Sequence, residues 1–121
     1  MPLAVFAAGV DHFNRGEFFA AHEAFEEQLD HVEGDDRWEL LVALIQVAVG
    51  YHKAQSDHPG ADRMLGLGLE KLEPLTSPAW GLEIEALRQR VRDDLARQER
   101  GESLRERVAA VPPRIVIASG A

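Results

Sequence analysis

Between Asp36 and Gln55 the chain carries Trp38, Leu41, Leu44, Ile45, Val47, Ala48, Val49 and Tyr51, which wrap more than half the circumference of a helix. A helix so apolar cannot lie on a surface. It must be enclosed by others, so the chain is expected to be all-α, with this third segment at the centre of a bundle. Asp36 followed three residues on by Glu39 has the form of a capping box that opens the segment.

The flanking segments supply the enclosure. Leu3, Phe6, Val10 and Phe13 fall on one helical face, and Gly16 is placed to end that first helix in a left-handed turn. A second helix, from about Glu17 to Val32, sets Phe18, Ala21, His22, Phe25, Leu29 and Val32 on one stripe. So short a connection implies an antiparallel hairpin with the first. Pro59 opens a fourth helix with Met64, Leu65, Leu69 and Leu72 as its stripe, and Pro74 stops it; Gly66 and Gly68 within it imply close packing. Ser77-Pro78 reads as the cap and first-turn proline of a fifth helix, which runs to about Arg100 with Ile84, Leu87, Val91 and Leu95 inward. A frayed turn or two follows, to Ala110.

Pro112-Pro113 breaks the helical pattern, and Arg114 to Ala118 is apolar and β-prone. The expected architecture is therefore an antiparallel bundle of about five helices over residues 1–111, with an extended arm over residues 112–121. The arm lies along the bundle or across a second subunit; its Ile115-Val116-Ile117 run favours a homodimer. Trp38 and Trp80 are expected to anchor the core.

Charge narrows the partners. The net charge is −8, and residues 1–62 hold Arg15, Arg37 and Lys53 against twelve Asp and Glu. A surface this negative repels phosphate backbones and anionic headgroups, so neither nucleic acid nor a membrane surface is an expected partner. Without cysteine the chain has no thiol nucleophile, disulfide framework or Cys-ligated metal, and a reducing cytoplasm suits it. The apolar stretch from Met1 to Val10 has no basic leader and is interrupted by Asp11 and His12, so it reads as a buried helix. No phosphate-cradling glycine loop, Ser/His/Asp set or dinucleotide fingerprint is present.

The residues that carry chemistry are few. His22 points inward from the second helix and Glu26, one turn on, lies at the edge of the same stripe, so the imidazole and carboxylate reach each other or one shared ligand. Three readings stand for them. They form a satisfied semi-buried pair; or they hold a divalent metal with His52 of the third helix as a further ligand and a position left open; or they act as acid and base in a cleft. Glu23 turns toward solvent, and Gln46 shares a polar flank with Glu39 and Lys53. His12, His31 and His58 fall on outward faces or helix ends, where the helix dipole accounts for His31.

The series Phe13-Asn14-x-Gly16-Glu17-Phe18-Phe19-x-Ala21-His22-Glu23-x-x-Glu26, then Leu44-Ile45-Gln46-x-Ala48, His52 and Gly60-Ala61, resembles the bacterial and archaeal family called domain of unknown function 309. The likeness covers residues 10–72. It implies a small all-helical bundle without an assigned activity, and it singles out His22, Glu23, Glu26, Gln46 and His52. The chain departs from the family pattern at Leu29, where an aromatic, typically Trp, is usual. If these polar residues share a site, it is a groove between the second and third helices that takes a divalent metal or a small polar ligand.

A looser likeness competes. Gly16-Glu17-Phe18-x-x-Ala21 and Gly60-Ala61 through Leu72 each resemble half of a tetratricopeptide repeat, which implies a protein–protein interaction module without catalysis. The chain shows no 34-residue period and is too short for three such repeats.

Overall fold

A computed structural model describes residues 4–118. Within them lie α1 (Ala4–Asn14), α2 (Phe18–Glu26), a 3-10 turn (Leu29–Val32), α3 (Arg37–Gln55), α4 (Ala61–Leu72), α5 (Ile84–Glu99) and α6 (Leu104–Ala110). The fold is all-α, with α3 packed on α2, α4 and α6. None of the described helices is long and apolar enough to cross a membrane.

Packing follows from which side chains have nowhere else to go. Phe6, Phe13, Phe18, Phe25, Leu40, Leu44 and Tyr51 are fully buried in one core, each contributing about 1.5–3 kcal/mol through loss of apolar surface to water. Phe13 meets Phe18 edge-on at 5.0 Å, and the Phe25 ring lies where a Cβ on Gly9 would stand, so α1 and α2 run antiparallel as a hairpin. Gly50 of α3 faces Leu65 of α4, and Gly68 of α4 faces Val47 and Ala43 of α3, again antiparallel. A Cβ on Gly68 would stand 2.6 Å from Val47 Cγ2, whereas one on Gly66 would meet nothing within 4 Å. Close packing thus explains Gly68 and leaves Gly66 without that reason.

Several sequence expectations are corrected. The second helix stops at Glu26 and tightens into the 3-10 turn instead of running on to Val32. Glu23, Glu26, Glu27 and Asp30 crowd negative charge at what would be its C-terminal half, where the helix dipole disfavours it. Asp35, not Asp36, opens α3: its Oδ1 accepts the Arg37 backbone N–H at 2.8 Å, while Asp36 already has helical dihedrals and no capping bond. The fifth helix begins at Ile84 rather than Pro78, although the Ser77 hydroxyl still accepts the Glu85 N–H at 3.0 Å across the intervening turn. The stretch to Ala110 is a true helix, α6, because Ser103 accepts the Glu106 N–H at 3.1 Å.

Burial on α3 is uneven around its circumference. Leu40, Leu44, Val47 and Tyr51 form its buried centre, and Ile45, Val49 and His52 lie on its rim. Trp38 is on the far side from that centre and is exposed, so it does not anchor the core. Trp80 sits in the turn before α5, partly buried 6.4 Å from the Phe6 ring.

Residues beyond α4 are tied to this hairpin core by polar contacts. Arg88, nearly buried, donates to the carbonyls of Leu72 and Leu75 at 2.5 and 2.8 Å and so closes the C-terminal end of α4. Asp94 is fully buried and accepts from Tyr51 Oη, Arg90 Nε and Arg107 Nε at 2.6, 2.8 and 3.0 Å, joining α3, α5 and α6. The arm lies along its own bundle. The Asn14 side chain donates to the Ile115 carbonyl at 2.9 Å and accepts the Ile115 N–H at 2.7 Å, and Val116 O and Ala118 N pair with Glu83 N and Gly81 O. Ile115 is thereby buried within its own chain, while Val116 and Ile117 remain exposed.

Candidate functional site

On α2, Phe19, His22 and Glu26 recur at spacings of three and four, forming a second stripe beside the Phe18, Ala21 and Phe25 stripe that the core takes. That second stripe faces the rim of α3. Phe19 therefore stays 51% exposed, although its neighbour Phe18 is buried. Its ring centroid lies 5.0 Å from that of His22 and 5.2 Å from that of His52.

His22 has a protein oxygen near each ring nitrogen. Its Nδ1 donates to the Phe19 carbonyl oxygen at 3.1 Å, and its Nε2 lies 3.1 Å from Glu26 Oε2, within ion-pair distance. The expected imidazole–carboxylate pair is present. His52 stands across from it on α3, against the same phenyl ring.

Together Phe19, His22, Val49, His52, Lys53 and His58 line a groove of about 300 Å³. Its third imidazole comes from the end of α3. Asp57 takes a left-handed conformation (φ 56°), the Asp57 N–H donates to Ala54 O at 3.2 Å and the His58 N–H to Lys53 O at 2.8 Å. This is the Schellman ending, and it folds His58 back beside Lys53. Sequence reasoning left His58 on the surface because the left-handed position holds Asp rather than Gly. It missed Phe19 as well, for which the signal was a large aromatic one position off the core stripe.

Not every expected residue joins the groove. Glu23 is exposed and borders a separate shallow hollow with Glu26 and Glu27. Gln46 does not line the groove, and its Oε1 is buried without a hydrogen-bond partner. Among the described residues no three His, Asp or Glu side chains converge as a set that could hold a metal ion. His22, Glu26 and His52 thus do not close on one centre in this conformation.

Residues 6–65 match the sequence profile of the family described as domain of unknown function, DUF309. The chain belongs to that family. No curated protein matches it. Every residue lining the groove, from Phe19 to His58, lies inside the DUF309 segment, whereas Asp94, Arg107 and the arm lie beyond it. The DUF309 segment therefore holds α1, α2, α3 and the start of α4, the elements that build the groove.

Proposed function

We propose that this DUF309 protein binds a small polar ligand in the groove between α2 and α3, with His52 as a polar contact and the rings of His22 and Phe19 as its walls. One observation carries the reading: a half-exposed phenylalanine with imidazoles from two helices packed against it, beside a cavity of about 300 Å³. A cavity of that size, mostly apolar with a few convergent polar groups, is the ordinary form of a small-molecule site. Glu26 and the Phe19 carbonyl orient His22 in the way that supporting groups orient a binding imidazole. A ligand that inserts among the rings is favoured over a divalent ion, since the donors would have to move to share one ion.

The test is ligand-observed NMR with a mixed set of neutral, anionic and cationic single-ring compounds against the wild type, His22→Ala and His52→Ala. Compounds that bind the wild type are expected to lose at least about tenfold in affinity in both variants, the scale of one lost polar contact or one lost ring wall. If none binds at millimolar concentration, or if all bind the variants unchanged, the groove is not a ligand site.

A further inference from the structure

The groove holds a cation in the half of the chain that has fewest of them. Of the three basic residues in positions 1–62, Arg15 is paired with Asp11 and Glu17, and Arg37 with Asp35. Among the described residues Lys53 has no carboxylate within 4.0 Å of its ammonium group, and it lines the groove. Beside it stand three of the chain's five histidines, and no Asp or Glu is among the lining residues. Glu26 and its acidic neighbours border the separate hollow instead.

On the proposed ligand site, and resting on that reading, we infer that the ligand is an organic anion: a carboxylate or phosphate oxyanion carried on a flat apolar body about the size of one ring. The Lys53 ammonium and the N–H groups of His52 and His58 meet the oxyanion by charge-assisted hydrogen bonds, and the flat body lies on Phe19 and Val49. Part of the cation placement has a structural cause, because Lys53 and His58 at the end of α3 also complement the helix dipole. That cause does not account for Phe19, which gains nothing from exposure at the mouth of the same cavity. A cavity of about 300 Å³ is at the small end of ligand pockets, which limits the body to a single ring. The net charge of −8 works against an anion at long range, so any preference for one must come from the contacts inside the groove.

The experiment is a set of affinity titrations at low and high salt with benzoate, phenyl phosphate, neutral benzamide and cationic benzylamine, on the wild type, Lys53→Gln and His52→Ala. Benzoate and phenyl phosphate are expected to bind at least about tenfold more tightly than benzamide, and benzylamine more weakly still. Lys53→Gln is expected to remove most of the anion preference by lowering benzoate and phenyl phosphate affinity much more than benzamide affinity, and added salt to do the same in part. If benzamide or benzylamine binds as tightly as benzoate, and His52→Ala abolishes that binding, the ligand site stands and the anion inference falls. If no compound binds, both fall. A preference between benzoate and phenyl phosphate identifies which oxyanion the groove takes.

Discussion

The Tyr51 hydroxyl donates a 2.6 Å hydrogen bond to Oδ2 of Asp94, 43 residues away and fully buried. The same carboxylate accepts from Arg90 and Arg107, so one buried charge holds three helices in register and its cost of burial is offset only while all its partners are present. Asp94→Ala is expected to destabilise the protein by about 3–5 kcal/mol, because it leaves the buried Tyr51 hydroxyl unpaired and removes the shared carboxylate from two guanidinium groups, which keep only Asp93 and the Val111 carbonyl. Tyr51→Phe should cost about 1.5–3 kcal/mol, the usual range for a hydrogen bond to a charged group. Denaturant unfolding checks both, and the two losses combined in one chain should be well short of their sum.

The same contact predicts an alkaline limit. Burial first, then the Asp94 charge and the hydrogen bond to it, hold the Tyr51 phenol above its ordinary value of about 10. A folded state that keeps its proton while the unfolded chain releases one loses stability as pH rises, so this contribution is whole below about pH 10 and declines above it. Stability of the wild type should fall more steeply with pH above about 10 than that of Tyr51→Phe. Tyr51 is the single tyrosine of the chain, so tyrosinate absorbance should emerge only as the protein unfolds.

Two glycines of α4 separate packing from propensity. Gly68→Ala puts a methyl group 2.6 Å from Val47 and 3.1 Å from the Ala43 carbonyl, and should destabilise by roughly 1–3 kcal/mol through overpacking. Gly66→Ala meets nothing within 4 Å and should stabilise by about 0.5–1 kcal/mol. Thermal unfolding of the two variants should move in opposite directions.

The Asn14 clasp on Ile115 makes a local prediction. Asn14→Ala leaves the Ile115 N–H and carbonyl without their partner, at a cost of about 1–3 kcal/mol. The first consequence should be faster amide exchange at Ile115 and faster tryptic cleavage after Arg114, with the helices unchanged. An Ile115 amide as protected as in the wild type would show that the arm is held by Ile115 packing alone.

What the residues themselves disclosed follows a physical division. The hairpin of α1 and α2 and the central place of α3 were legible because Phe13, Phe18, Leu44 and Tyr51 repeat at helical spacing, and period alone decides burial there. The His22 and Glu26 contact was legible for the same reason, since spacing of four fixes it within one helix. The Asp94 network and the Asn14 clasp were not, because each joins residues far apart in sequence and no local pattern encodes a tertiary contact. The α6 helix was legible as a frayed turn or two ending at Ala110, and the Ser103 and Glu106 spacing of a capping box is the signal that marks it as a capped helix. An apolar wrap over more than half of α3 does not mark which positions lie on its rim, and it is the rim position of Ile45, Val49 and His52 that leaves a groove.

The groove itself is tested most directly by its histidines, since three of the five line it and His12 and His31 do not. The ring resonances of all five can be followed by NMR while benzoate is titrated in. The ring signals of His22, His52 and His58 should shift together and saturate at one common affinity, with those of His12 and His31 unmoved. Equal drift of all five, or no shift in the three, would contradict a ligand site between α2 and α3.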